Sequence, residues 1–340
     1  MTAEDRFVEQ VRALLTRTEG VTLGPGDDAA VVSWEGRDLV ATTDLLVEDV
    51  DFLEGEEPET IGRRSAAVNL SDLAAMGARP RFFLLSIAFP PQRGEVYALA
   101  IARGALARME PLGAALVGGD LSKAPTAVVS VALWGEPEGD PIRRSGAVPG
   151  DLVYVSGFPG RAAAGLLLAR RLAEFASQGS KPTPRFVGLT PAEERELLGA
   201  HRDPEPRVAL GLALAREKLA HAAIDVSDGL GMDAGRLARA SGVRLVLEKA
   251  LLPVSSALSS FAEVEAADPH ELLLSGGDDY ELLVCAPESA ADSLENSPEE
   301  WGVAVTRIGH VEEGSGAVLR SRRGDRDIAE LGYDHLRNRP

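Results

Sequence analysis

Residues 60–89 read TIGRRSAAVNLSDLAAMGARPRFFLLSIAF. The stretch TIGRRSAAVNLSDLAAM (60–76) predicts a helix, and FFLLSIAF (82–89), an apolar run beside turn-forming residues, predicts a strand. The alternation continues outward. Downstream, GEVYALAIARGALARM (94–109) predicts a helix, while AALVGG (114–119) and TAVVSVALW (126–134) predict strands. Upstream, AAVV (29–32) and DLVATT (38–43) predict strands, and EDRFVEQVRALLTR (4–17) sets Phe7, Val8, Val11, Leu14 and Leu15 at the spacing of an amphipathic helix. Such layering predicts an α/β (α+β layered) protein.

A Pro- and Gly-rich stretch, GEPEGDPIRRSGAVPGD (135–151), marks a domain boundary. It divides the chain into an N-terminal domain over 1–140 and a C-terminal α/β domain over 150–340. Beyond it, strands are expected at 152–157, 222–226, 243–248, 281–286 and 303–311, and helices at 160–176, 207–220 and 229–240. Residues 177–206, rich in Gly, Pro, Ser and charge, predict a surface excursion outside the core.

The chain has 340 residues, 45% hydrophobic and 26% charged, which suits two domains with full cores. Its 53 acidic residues against 35 Lys and Arg give a net charge of −18. That balance excludes a general binder of nucleic acid or anionic membranes, whose phosphates it would repel. No apolar run reaches the ~18 residues of a membrane span. The first residues, MTAEDRFVEQ, are acidic where a signal peptide is basic. A cytoplasmic protein is expected. The single cysteine, Cys285, excludes a disulfide framework and a cysteine-based zinc site.

Aspartates recur where strands meet turns. They are Asp27 and Asp28, Asp44 after Thr42 and Thr43, Asp72 after Asn69, Asp120, Asp225 and Asp228 flanking Ser227, and Asp278 and Asp279. One such residue is ordinarily a turn former or helix cap. Six such sites in one chain, one of them (Asp225) embedded in the apolar AAIDV, point further. Converging carboxylates cannot all ionise without a counterion. Oxygen donors without His or Cys suit magnesium or calcium, and magnesium so held completes its shell with phosphate oxygens and water. The pattern points to phosphate chemistry. Glycines at 24, 26, 118, 119, 276 and 277 precede the acids and let backbone approach a ligand.

Other chemistries fit less well. There is no GxxxxGK[ST] loop, no kinase HRD or DFG set and no GxSxG elbow. His201, His221, His270, His310 and His335 show no metal-ligand spacing, and Cys285 in ELLVCA is expected to be buried and inert. Arg143 and Arg144 suit either a phosphate or a solvated linker.

In this order, GPGDDAAVV (24–32), TTDLLVEDVDF (42–52), AVNLSDLAAMGARP (67–80), LVGGDLS (116–122), RRSGAVPGD (143–151), AIDVSDGL (223–230) and SGGDDYELL (275–283) cover nearly the whole chain. Together they resemble the thiamine-monophosphate kinase family of the aminoimidazole ribonucleotide synthase superfamily. The resemblance implies a two-domain fold and a homodimer paired through its N-terminal mixed sheets. It implies ATP-dependent phosphorylation of thiamine monophosphate to thiamine diphosphate, with several Mg²⁺ ions per site and neither nucleophile nor base. Metal-assisted catalysis then falls on Asp28, Asp72 and Asp120. Carried over residue by residue, the metal ligands fall on Asp28, Thr42, Thr43, Asp44, Asp72, Asp120, Asp225 and Asp228. Nucleotide contacts fall on Gly119, Asp120, Arg144 and Ser227, and substrate contacts on Asp51, Asp278 and Tyr333.

Two positions depart from the family pattern. Asp51 stands where the family commonly has histidine before the phenylalanine, and Asp278 stands where it often has glutamate. Two alternatives stand beside this reading. One is another ATP-using member of the superfamily, such as aminoimidazole ribonucleotide synthase or selenophosphate synthetase. The other is a noncatalytic divalent-cation-binding scaffold.

Overall fold

A computed structural model of the chain describes residues 1–15, 19–177, 188–296, 298–334 and 336. The end of the expected first helix (16 and 17), residues 178–187 and His335 lie outside the described residues. In chain order the elements begin α1 (Ala3–Leu14), β1 (Val21–Leu23), β2 (Ala30–Trp34), β3 (Arg37–Val47), α2 (Pro58–Ala75), β4 (Ala78–Phe89), α3 (Gly94–Met109), β5 (Ala115–Lys123) and β6 (Val128–Pro137). They continue with β7 (Leu152–Ser156), α4 (Arg161–Ser177), α5 (Pro191–Arg202), α6 (Val208–Arg216), β8 (Ala222–Val226), α7 (Leu230–Ser241) and β9 (Arg244–Glu248). The last are α8 (Ser256–Val264), α9 (Pro269–Ser275), β10 (Glu281–Ala286), α10 (Ala291–Asn296), α11 (Pro298–Trp301), β11 (Val305–Glu312), β12 (Gly316–Ser321) and β13 (Gly324–Asp327). Among the described residues, no helix is long and apolar enough to cross a membrane.

Two compact units result. One comprises residues 14–141 with 205–217, and the other 1–13, 142–204 and 218–340. The break at 141 falls inside the expected linker. Two segments depart from a division into 1–140 and 150–340. Residues 1–13 group with the C-terminal half, and α6 groups with the N-terminal half, its Gly211 packed against the Ala74 carbonyl of α2.

The first unit holds a six-stranded mixed sheet in the order β1-β2-β3-β6-β4-β5. Neighbours are antiparallel except β4 and β5, which run parallel because α3 carries the chain back between them. Along β6 every second residue is buried, the period of a sheet covered on one face. The cover on that face is α2, which buries 13 of its 18 residues. Small residues let α2 and α3 cross closely: an added Cβ would lie 1.9 Å from the Ile101 carbonyl oxygen at Gly62, and 1.9 Å from that of Glu59 at Gly104.

The second unit holds a seven-stranded mixed sheet ordered β13-β12-β9-β11-β7-β10-β8, with β9 and β12 parallel. Val153, Val155, Ile224, Leu245, Leu283, Ile308 and Leu237 of α7 build its main core. A second core joins Ala164 and Leu168 of α4, Leu189, Leu197 of α5, and Leu258 and Phe261 of α8. This overturns the expectation of a surface excursion for the part of 177–206 that is described. Thr190 and Glu193 close a reciprocal capping box on α5, and Leu197 is fully buried. Conversely, α1 forms but ends at Leu14, and it leaves Phe7 57% and Leu14 82% exposed with Val8 and Val11 only half-buried, so none of its residues is fully buried.

Candidate active site

In the first unit, the site begins on the covered face of its sheet. Successive strand residues point to opposite faces, so Thr42 and Asp44 share the side of α2 while Thr43 and Leu45 project from the other. Asn69 and Asp72, three residues apart on α2, meet the first pair. Thr42 Oγ1 donates to Asp72 Oδ2, and the Asp44 N–H donates to Asn69 Oδ1 at 3.2 Å. Buried Asn69 is itself oriented, its Nδ2 donating to the Ser65 carbonyl at 3.0 Å. Asp28, only 8% exposed, sits in the turn before β2, and Asp27 Oδ1 accepts its N–H at 3.0 Å. Asp28 and Asp72 present carboxylate oxygens within 4.8 Å of one another. Two ionised groups so close repel, and a divalent cation with oxygen ligands relieves that repulsion. The donors fit magnesium.

Thr43 and Asp120 lie elsewhere. Thr43 Oγ1 donates to the Val131 carbonyl at 2.9 Å. Asp120 is exposed on the edge strand β5, in register with Ser86, on the face opposite buried Leu85 and Ile87. Gly119 has a packing reason of its own, since a Cβ there would lie 1.8 Å from the Leu85 carbonyl oxygen. Asp51 belongs to the turn after β3, where its Oδ2 accepts the Val47 N–H at 2.8 Å. That turn is anchored by Glu48. Burial works against its charge, yet the Ala127 N–H, Arg93 and Thr126 hold its carboxyl below the usual range.

In the second unit, the structure knits three segments around the turn after β8. Asp225, 3% exposed, lies on that strand. The Asp278 N–H donates to the Ser227 carbonyl at 2.7 Å, and the Tyr333 N–H donates to that of Asp228 at 2.9 Å. Tyr280 N–H reaches the Val226 carbonyl at 2.8 Å, and its hydroxyl donates to Asp278 Oδ1 at 3.1 Å. Ser227, Asp228, Asp278 and Tyr333 thus come together around one turn. Asp278 holds this place at φ 68, a left-handed conformation that few residues other than glycine, asparagine and aspartate adopt readily.

Sequence reading missed the residues beneath that turn. Asp233 in the first turn of α7 is fully buried and accepts the N–H groups of Ser227 and Asp228. Burial pushes its carboxyl up to about 7, against the pull of Arg236 and Arg144. Arg236 bridges Asp228 and Asp233. The clue available in the sequence was an acid in the first helical turn with an arginine three residues on, a pattern more often found on solvated helices. Asp279, expected beside Asp278 as a candidate, instead accepts the Gly160 and Ala162 N–H groups at 2.6 and 3.2 Å, at the start of α4. Glu281 is held by Ser156 and Arg161. His221, His270 and His310 each pair with a nearby acid, and burial pushes the Cys285 thiol up, so it stays unreactive.

A family model described as AIR synthase related protein, N-terminal domain, matches residues 26–136, and its C-terminal domain counterpart matches residues 148–321. The chain is 36% identical over 319 residues to a thiamine-monophosphate kinase of Rhodopirellula baltica, spanning 91% of this chain and 89% of that one. It is 34% identical over 334 residues to a thiamine-monophosphate kinase of Escherichia coli K12, spanning 97% and 96%. Among solved structures, AaThiL complexed with AMPPCP and TMP matches with a TM-score of 0.79 at 31% identity, over 98% of this chain and 96% of that one. Since likeness at this level runs through both halves of the molecule, the chain belongs to the thiamine-monophosphate kinase family.

Proposed function

We propose that this protein transfers the γ-phosphoryl group of ATP directly to the phosphate of thiamine monophosphate, giving thiamine diphosphate and ADP. The observation that carries this reading is the likeness over nearly the whole chain to enzymes of that name, at 36% and 34% identity. The pairing of Asp28, Thr42 and Asp72 supports it from the chemistry.

The acceptor is a phosphate monoester, ionised near neutral pH, so no residue need act as base or nucleophile. The difficulty is charge. Each pair of unit charges ~4 Å apart repels by ~1 kcal/mol in water and about 4 kcal/mol at the effective dielectric near a protein surface. Magnesium, when bound, neutralises phosphate oxygens and supports an in-line displacement. To the chain's own residues fall the holding and aiming. We assign cation ligation to Asp28, Thr42, Thr43, Asp44, Asp72, Asp120, Asp225 and Asp228. Gly119, Asp120, Arg144 and Ser227 contact the nucleotide. Asp278 and Tyr333 contact the acceptor, and Asp51 offers negative charge to its cationic thiazolium. ATP as the donor puts the reaction in the cytoplasm.

The acting form is a homodimer paired through the sheet of the first unit. All nine residues of edge strand β5 are exposed, with Val117 and Leu121 at 58% and 62%, and Phe82 on the neighbouring β4 is half-exposed. An uncovered apolar edge of this length is a template for a second copy. The activity is tested by phosphorus NMR of ATP, Mg²⁺ and thiamine monophosphate with the protein. Thiamine diphosphate and ADP rising in step support the proposal. ATP hydrolysis to inorganic phosphate with thiamine monophosphate unchanged overturns it.

A further inference from the structure

The turn that carries Ser227 and Asp228 is held by two residues the resemblance does not assign. Strand β8 ends at Val226, and α7 starts at Leu230 after Gly229 at φ 113. Into this bend projects the carboxylate of Asp233. Its Oδ2 accepts two consecutive N–H groups, from Ser227 at 3.1 Å and Asp228 at 3.0 Å. Two donors converging on one oxygen fix both peptide planes, and with them the directions in which the Ser227 and Asp228 side chains leave the backbone. The second oxygen, Oδ1, accepts from Arg236 Nη1 at 2.9 Å. That same nitrogen donates to Asp228 Oδ2. Arg236 is fixed in turn on its other edges, with Nε 3.5 Å from Asp5 and Nη2 3.6 Å from Glu4. Its side chain is 12% exposed.

We infer that Asp233 and Arg236 are positioning residues for the proposed phosphoryl transfer: Asp233 sets the main chain at Ser227–Asp228, and Arg236 sets the aim of the Asp228 carboxylate. The inference rests on the assignment above of Ser227 to the nucleotide and Asp228 to the cation. Neither positioning residue need touch substrate. Asp228 and buried Asp233 present their carboxylates on one turn, and the guanidinium between them holds both in a fixed geometry. Without it, Asp228 has no reason to keep its rotamer when a cation arrives. Outer partners of metal ligands of this kind change metal affinity by about 10–100-fold when removed.

Two mild variants test it. Asp233→Asn keeps an oxygen for the two N–H groups but turns an amide toward Arg236. Arg236→Lys keeps positive charge beside Asp233 but supplies one nitrogen in place of three. The probe is Mn²⁺ with AMPPCP, followed by electron paramagnetic resonance and calorimetry, alongside thermal melting and steady-state kinetics. Expected is a loss of Mn²⁺–AMPPCP affinity of about tenfold or more. It is accompanied by lower kcat, a KM for thiamine monophosphate within twofold of the parent, and a melting temperature close to it. A folded variant that binds Mn²⁺–AMPPCP within twofold of the parent overturns the inference, because a merely structural role lowers melting and spares affinity. If one variant does not fold, the other decides by the same criterion. The binding readout needs no acceptor. A parent protein that leaves thiamine monophosphate unchanged therefore removes the acceptor assignment, while affinity lost in the variants still supports the positioning pair.

Discussion

Replacing Gly104 by alanine sets two magnitudes against each other. In an exposed helix interior, Gly→Ala stabilises by about 1 kcal/mol, because alanine gives up less backbone freedom on folding. At Gly104 the new Cβ would lie 1.9 Å from the Glu59 carbonyl oxygen and 2.8 Å from its carbonyl carbon. Ordinary contact begins near ~3.5 Å, so α2 and α3 must part locally by roughly 1.5 Å. The obstacle is backbone and cannot rotate aside. Overpacking of this kind costs about 1–3 kcal/mol, and here the upper end applies, so the clash outweighs the propensity gain. A net loss of about 1–2 kcal/mol lowers the melting temperature by roughly 2–8 °C, at about 2–4 °C per kcal/mol.

Activity falls further than stability does. Helix α2 carries Asn69 and Asp72 against Thr42 and Asp44, and a displacement of about 1 Å at a reacting centre can cost 10²-fold in rate. Gly199 in α5, with nothing within 4 Å of an added Cβ, supplies the matched control, and its alanine variant should melt higher than the parent. The assay is calorimetric melting with steady-state phosphoryl transfer measured for both variants. If Gly104→Ala melts higher, as Gly199→Ala does, and retains full turnover, the account of the α2–α3 crossing is wrong.

Asp72→Asn lowers kcat by at least ~10²-fold while the melting temperature holds, because it removes a ligand charge and leaves the packing of α2 alone; a near-normal rate contradicts its cation role. Removal of divalent cations with a chelator abolishes turnover and weakens AMPPCP binding, and restored Mg²⁺ recovers both; nucleotide binding indifferent to chelation argues against carboxylate-held ions. Burial pushes Asp279 up to about 8, so the folded chain keeps a proton that the unfolded chain releases near pH 4, and stability falls as pH rises between those values. Asp279→Asn flattens this decline, and melting curves that fall equally between pH 5 and pH 8 in both proteins refute the assignment. Leu121→Lys on the exposed edge strand shifts the protein toward monomer in light scattering, whereas an unchanged mass rules that edge out of the interface.

The elements that sequence reading located are those whose local pattern is strong. Residues 94–109 form the expected helix to the residue, and 60–76 corresponds to α2 at Pro58–Ala75. The short elements were less legible. Helices α8 and α9 and strands β12 and β13 have nine residues or fewer each, and a periodic pattern needs more repeats than that to stand out. Helix α5 hid behind charge and proline, although its Thr190–Glu193 capping signal was present.

The candidate site divides in the same way. The expectation of oxygen-only ligands came from the identities of the acids, since aspartate beside glycine carries its ligand preference wherever the chain takes it. Which acids meet did not follow. Thr42 and Thr43 are adjacent in sequence, yet pleating sends one hydroxyl to Asp72 and the other to the Val131 carbonyl. Asp120 lies on the open face because β4 and β5 pair with a register shift near Phe83 and Leu84. Asp233 and Arg236 look like surface charges until α7 packs them beneath the turn at Ser227.

The order of amino acids alone thus determined the α/β layering and the family. Tertiary structure alone decided that α6 joins the first unit, that α1 leaves Phe7 and Leu14 exposed, and that Arg236 lies against Asp228. Residue identity and short-range spacing fix a side chain's chemistry and its local backbone. Its partners depend on register, pleat and helix crossing, which are set by contacts between residues far apart in the chain.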